Sequence, residues 1–191
     1  MRTPAAVEAA AAGGARFIGL VFYARSPRAV DLATAHGLAS LAGSLGLETV
    51  GVHVDPDDAV LAATAPILDW LQLHGSESPE RVAAVRARFE TPVIKAIPVA
   101  TSGDLAAVTA YAAVADRLLF DTRPPAGSDR PGGHGLAFDW SLLAGLESDV
   151  PWMLSGGLDA ASLKSAVRAS GAYAVDVSSA VETAPGEKNL E

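Results

Sequence analysis

Three polar side chains lie next to apolar runs, at positions where a parallel α/β sheet would hold its chemistry. Asp121 ends the run Leu118–Phe120, His74 follows Gln72-Leu73, and Arg28 follows a Ser-Pro turn. A carboxyl group at the edge of a core can act as a general acid, and a guanidinium fork suits a substrate carboxylate. Asp121 is therefore a candidate catalytic acid, and Arg28 and His74 are candidate substrate contacts. The plainer alternatives are a helix cap or loop salt bridge for the aspartate, and a packed or surface position for the other two.

Two loops rich in Gly and Ser have the composition of an anion site. Ser155-Gly156-Gly157 precedes a predicted helix, and Ser178-Ser179 follows the next predicted strand. Glycine lets the backbone approach a ligand closely, and the free N–H groups at the start of a helix bind anions. We therefore expect a phosphate to be bound by Gly156, Gly157, Ser178 and Ser179. A tight strand–helix turn with capping serines is the alternative.

Asp176 is a further candidate, because its position in a strand determines where its side chain points. It alternates with Val175 and Val177, so it is expected to face the interior of the sheet. A buried carboxylate needs partners, which favours a functional role. No two histidines have the spacing of a metal site, so no metal is expected.

The elements that must position these residues alternate along the chain. The predicted strands are residues 17–22, 49–54, 68–73, 92–96, 117–121, 152–155 and 172–177, and the predicted helices are 4–12, 29–45, 55–63, 78–88, 102–113, 140–145 and 159–169. This alternation predicts an α/β protein with a parallel sheet. An open doubly wound sheet and a (β/α)8 TIM barrel compete. Because the chain begins with a helix and ends just after a strand, we expect a single barrel domain over residues 1–191 that lacks its first strand and last helix.

Composition excludes several classes of protein. The 191 residues carry a net charge of −8, 50% are hydrophobic, 19% are charged and none is cysteine. The apolar half argues against disorder, and the acidic balance argues against a nucleic-acid-binding surface. Zero cysteines exclude a disulfide scaffold or a thiolate zinc site in this sequence. The Ala-rich start is too short for a membrane span, so we expect no membrane contact and a cytoplasmic location.

Taken in order, these motifs resemble the phosphoribosylanthranilate isomerases of tryptophan biosynthesis. The matching stretches are GLVFYARSPR at 19–28, QLHG at 72–75, LFDT at 119–122, GGHG at 132–135 with FDW at 138–140, LSGGL at 154–158 and AVDVSS at 174–179, and Val181-Glu182 and Pro185-Gly186 continue the pattern. Each piece is modest, but the ordered set covers nearly the whole chain and is specific. The resemblance implies a (β/α)8 barrel.

The resemblance also implies an activity. These enzymes convert N-(5′-phosphoribosyl)anthranilate into 1-(2-carboxyphenylamino)-1-deoxyribulose 5-phosphate by an Amadori rearrangement that uses no cofactor. An aspartate acid opens the furanose ring, and a cysteine base then removes the C2′ proton. The resemblance assigns the acid to Asp121, the anthranilate side to Arg28, the phosphate to Gly156, Gly157, Ser178 and Ser179, and a place near the amine to Asp176. The glycine-rich loop at 132–135 resembles a mobile segment over the substrate.

The sequence departs from the family pattern at three points. A Lys-x-Cys-Gly strand would precede Arg2-Thr3-Pro4, a last helix would follow the final strand, and Ala180 stands in place of the usual Gly. We therefore expect impaired activity without the cysteine base, and two open barrel edges through which the chain could oligomerise. A non-catalytic barrel fragment that keeps its phosphate site, or an unrelated barrel for sugar phosphates, remains an alternative.

Overall fold

The computed structural model describes residues 1–124, 127 and 137–190. Six parallel strands form one sheet, namely β1 (Phe17–Val21), β2 (Glu48–His53), β3 (Trp70–Leu73), β4 (Val93–Val99), β5 (Arg117–Thr122) and β6 (Trp152–Leu154). The α-helices are α1 (Pro4–Ala12), α2 (Leu32–Ser44), α3 (Asp58–Thr64), α4 (Pro79–Phe89), α5 (Val108–Ala112) and α6 (Leu163–Ser170). Each strand pairs with the next one along the chain, which is the strand order of a barrel wall.

The sheet separates two layers of apolar side chains. On β4, Val93 and Ile97 pack with the helices, whereas Ile94 and Ala96 face the inside of the sheet. The inner cluster consists of Val50, Ile94, Ala96, Leu119 and Met153. This alternation along each strand decides which side chains can reach the concave face, and therefore which can form a site there.

Helix starts follow the capping residues of the sequence. Thr3, which precedes Pro4, accepts a hydrogen bond from the backbone N–H of Ala6 at 3.3 Å. Asp31, Asp57 and Ser78 accept equivalent bonds at the starts of α2, α3 and α4. Each cap satisfies a backbone donor that the first helical turn leaves without a partner. No helix in the described ranges is long and apolar enough to cross a membrane.

The prediction of a seventh strand at 172–177 is wrong. Only one parallel bridge forms there, between Leu154 and Val175. Leu154 donates to Ala174 O at 3.0 Å and accepts from Asp176 N at 2.8 Å. Strand β6 is only three residues long and is followed closely by glycines with positive φ. It therefore has no further extended backbone with which residues 172–177 could pair.

Other boundaries differ from the expectation. The predicted helix 102–113 divides into a 3-10 turn at Ser102–Ala107 followed by α5, and the segment 140–145 is a 3-10 turn at Trp140–Leu143. The polar tail, for which no element was predicted, forms a 3-10 turn at Ser179–Val181 and an antiparallel hairpin of β7 (Glu182–Ala184) and β8 (Glu187–Lys188). The remaining 3-10 turn is Ala65–Ile67. The hairpin was not predicted because its strands are too short to show the alternation of apolar and polar residues that is typical of a strand.

His53, at the end of β2, is a fully buried histidine with a structural role. Its Nδ1 donates to Gly51 O at 2.9 Å, its Nε2 lies 3.0 Å from Thr64 Oγ1, and its ring stacks on Phe22 with centroids 5.2 Å apart. Burial lowers the pKa of His53 from its ordinary 6.5 to about 4. The folded protein therefore holds this ring neutral at pH values where the unfolded chain protonates it.

This difference predicts acid sensitivity with a defined sign. Stability linked to His53 is complete above pH 6.5 and is lost as the pH falls towards 4, by about 3 kcal/mol in total. We expect His53→Gln to lose less free energy of unfolding between pH 7 and 4.5 than the unsubstituted chain does, as measured by urea denaturation. His36→Gln, at an exposed position, is the control and should leave the pH dependence unchanged. An unchanged pH slope in His53→Gln would contradict the assignment.

Candidate active site

Side chains that face the inside of the sheet meet beyond the carboxyl ends of β3 and β5. Gln72 and His74 share one face by the two-residue alternation, and Asp121 lies on the face of the inner-cluster residue Leu119. Gln72 Nε2 donates to His74 Nδ1 at 2.8 Å, so Nε2 of the ring carries the proton and donates to Asp121 Oδ2 at 3.1 Å. The backbone N–H of Thr122 donates to Asp121 Oδ1 at 2.8 Å. These bonds fix the orientation of the Asp121 carboxyl group.

A second carboxyl group, that of Asp176, belongs to the same interior. Ser155 Oγ donates to Asp176 Oδ2 at 3.1 Å. Burial raises the pKa of Asp176, and the charge of the nearby Asp121 raises it further. The Asp176 carboxyl group therefore holds a proton at a higher pH than an isolated aspartate does.

The loop that carries His74 is held from the other side of the sheet by a buried ion pair. Lys95 Nζ lies 2.6 Å from Glu77 Oε2, and both side chains are 2% exposed. The same ammonium donates to Leu73 O at 3.2 Å and to Gly75 O at 2.7 Å. These two carbonyls flank His74 in sequence, so the ion pair fixes the backbone from which the imidazole extends.

The glycine-rich turn after β6 closely approaches Asp121 and Thr122. Gly156 has φ of +87° and Gly157 has φ of +65°. A Cβ on Gly156 would lie 2.7 Å from the backbone nitrogen of Thr122 and closer still to its Oγ1. Only glycine fits this backbone conformation at this spacing. Ser178 and Ser179 lie at the start of the 3-10 turn after 172–177, beside the hairpin.

Arg28 reaches the same region from the loop after β1. Its Nε and Nη2 donate to Glu182 Oε1 and Oε2 at 2.8 and 2.6 Å, in a bidentate pair. Lys188 Nζ donates to Glu182 Oε1 at 3.1 Å and to Ser178 O at 2.7 Å. The predicted substrate contact is therefore part of a three-residue charged cluster, which joins the loop after β1 to the C-terminal hairpin.

The structure brings His74 and Asp121 into direct contact and couples Asp176 to Asp121 electrostatically. Sequence reasoning missed Gln72 and Lys188 as polar partners and placed no role on Lys95 or Glu77. A lysine within the apolar strand 92–96 was an available signal, because a charge there requires a buried partner. The predicted loop 132–135 lies outside the described residues. Among the described residues, no group of three or more His, Cys, Asp or Glu is placed to hold a metal ion.

Six parallel strands paired in chain order, with carboxyl groups beyond the strand ends, are typical of a (β/α)8-barrel enzyme that uses acid–base chemistry. The sequence model for N-(5′-phosphoribosyl)anthranilate (PRA) isomerase matches residues 1–191. The chain belongs to this family of isomerases.

Individual relatives agree with the family model. The N-(5′-phosphoribosyl)anthranilate isomerase of Rhodopseudomonas palustris (strain BisA53) is 53% identical, with 100% of this chain and 88% of the relative covered. The isomerase of Rhodospirillum centenum is 54% identical over 97% of this chain and 88% of its own length. Among solved structures, the phosphoribosyl anthranilate isomerase of Thermotoga maritima has a TM-score of 0.87 at 30% identity, covering 100% of this chain and 90% of that one.

A further solved relative contains a ligand. It is a phosphoribosyl anthranilate isomerase in complex with reduced 1-(o-carboxyphenylamino)-1-deoxyribulose 5-phosphate, with a TM-score of 0.82 at 28% identity over 100% of this chain and 89% of that one. The family, the barrel fold and the isomerase class predicted from the sequence are thus confirmed.

The close approach at Gly156 predicts a large stability effect of a single methyl group. Gly156→Ala should lower the free energy of unfolding by about 3 kcal/mol, because it adds a backbone clash to the strain of a left-handed residue. Gly171→Ala is the matched control, since Gly171 has φ of +76° with open space around its Cβ position. It should cost about 1–2 kcal/mol. Equal losses in the two variants, measured by urea denaturation, would show that the turn relaxes and that the contact is unimportant.

Proposed function

We propose that this chain isomerises N-(5′-phosphoribosyl)anthranilate, with Asp121 as the acid that opens the furanose ring. The observation that carries the residue assignment is the position of the Asp121 and Asp176 carboxyl groups, each fixed by a hydrogen bond on the concave side of the sheet. His74 and Ser155 donate to these carboxyl groups and hold them at the carboxyl ends of the strands. This is the end of a (β/α)8 barrel where catalysis takes place.

Ring opening requires a proton on the furanose oxygen while its bond to C1′ breaks. Asp121 is oriented for this transfer by His74 on one oxygen and by the Thr122 N–H on the other. Asp121 gives its proton to the ring oxygen and becomes a carboxylate, which the same two hydrogen bonds stabilise. The nitrogen lone pair forms the Schiff base as the ring oxygen leaves as a hydroxyl group.

The charged groups around the carboxyl pair suit the two ends of the substrate. The ligand of the solved relative has a carboxyphenyl group at one end and a 5-phosphate at the other. Arg28 offers a guanidinium to the carboxylate of such a molecule. Gly156 and Gly157, together with Ser178 and Ser179, offer backbone and hydroxyl donors to its phosphate. His74 contacts the substrate from the side of the acid.

Replacement of the acid tests this assignment. Asp121→Asn should lower kcat by about 10²- to 10⁴-fold, since the amide keeps the shape but supplies no acidic proton. Turnover is followed by the loss of anthranilate fluorescence, and calorimetry with the reduced carboxyphenylamino compound should show affinity within a few-fold of the unsubstituted chain.

The control is Asp159→Asn, the same chemical change at an exposed side chain that accepts the backbone N–H of Ser162. It should leave kcat unchanged. A kcat for Asp121→Asn within tenfold of the unsubstituted chain would contradict the role of Asp121. Absence of both turnover and ligand binding in the unsubstituted chain would contradict the proposed function as a whole.

A further inference from the structure

The C-terminal hairpin supplies two charged residues to the loop that carries Arg28. Glu182 begins β7 and Lys188 ends β8, so the antiparallel pairing places both side chains on one side of the hairpin. The side chain of Glu182 is 3% exposed, and those of Arg28 and Lys188 are 13% and 14% exposed. Three charges at this depth are costly to desolvate unless they are arranged to compensate one another. Here the two cations compensate the one carboxylate through direct hydrogen bonds.

The contact between Arg28 and Glu182 uses one edge of the guanidinium. Both bonds leave from Nε and Nη2, which is the parallel fork geometry that fixes the plane of the group. Three N–H groups, the two on Nη1 and the second on Nη2, are not used in this pair and can serve a ligand. A planar group fixed in this way presents Nη1 in a single direction, with little loss of side-chain entropy on binding.

The net charge of the cluster suits a monoanionic ligand group. Arg28 and Lys188 contribute two positive charges and Glu182 one negative charge, which leaves one positive charge. Burial alone raises the pKa of Glu182, but hydrogen bonds from Arg28 and Lys188 outweigh it, and the pKa is lowered. Glu182 is thus ionised at neutral pH. Lys188 also donates to Ser178 O, so it connects the cluster to the segment expected to bind phosphate.

We propose that Glu182 and Lys188 are positioning residues for recognition of the substrate carboxylate by Arg28. Glu182 holds the guanidinium by one edge so that Nη1 faces the carboxylate, and Lys188 holds Glu182 while leaving the cluster with one surplus positive charge. This inference rests on the proposed function and identifies what makes the site selective for a carboxyphenyl group.

The test compares two ligands on three variants by calorimetry. The ligands are reduced 1-(o-carboxyphenylamino)-1-deoxyribulose 5-phosphate and the same compound without its carboxyl group. The variants are Glu182→Gln, Lys188→Met and, as control, Glu187→Gln, which makes the same amide change at an exposed position of the same hairpin. We expect Glu182→Gln and Lys188→Met to lower the affinity for the carboxylated ligand about tenfold. The affinity for the other ligand should stay within about twofold of that of the unsubstituted chain. Glu187→Gln should leave both affinities unchanged.

The sign of the Glu182→Gln effect separates positioning from bulk charge. This variant raises the cluster charge by one unit, so a site that worked by charge alone would bind the carboxylated ligand more tightly. Tighter binding of the carboxylated ligand would overturn the proposal. Equal weakening of the affinity for both ligands would also overturn it, because it would show that Glu182 has a purely structural role. An unsubstituted chain that binds neither ligand, or that does not prefer the carboxylated one, would instead overturn the proposed function.

Discussion

The buried ion pair between Lys95 and Glu77 is the interaction on which the geometry of the site depends. Desolvation of two charges is repaid only when hydrogen bonds satisfy the remaining donors and acceptors. Here Lys95 binds the carbonyls of Leu73 and Gly75, while Glu77 accepts the backbone N–H groups of Asp55 and Gly75. The pair thus ties the ends of β2, β3 and β4 together on the side of the sheet that packs against the helices.

This constraint reaches Asp121 through His74. The imidazole lies between Gln72 and Asp121 because its backbone is fixed on both sides, and its tautomer is set by the Gln72 amide. At the other side of the barrel, the pair of Arg28 and Glu182 plays a comparable part for the loop after β1. Partly or fully buried ion pairs therefore fix both His74 and Arg28 in the folded chain.

The parts of the structure predicted from the sequence are those determined locally. The apolar runs predicted β1 to β6, because strands that are buried on both faces consist mainly of apolar residues. Capping residues such as Thr3 predicted where a helix begins. The alternation around Asp176 predicted its inward position, but not the loss of the strand 172–177. The ion pair between Glu182 and Arg28 could not be predicted from local sequence patterns, because 154 residues separate the two. Such pairings depend on the tertiary fold, and no residue spacing in the sequence indicates them.

The most direct test of this account is the ¹⁵N NMR spectrum of the His74 imidazole in the unsubstituted chain and in the double variant Lys95→Met/Glu77→Gln. The double variant removes the ion pair without leaving a buried charge unpaired. We predict a single tautomer with the proton on Nε2 in the unsubstituted chain, and a mixture of tautomers in the variant because the backbone around His74 is released. An unchanged Nε2 tautomer in the variant would show that the ion pair does not position the site and would contradict the account.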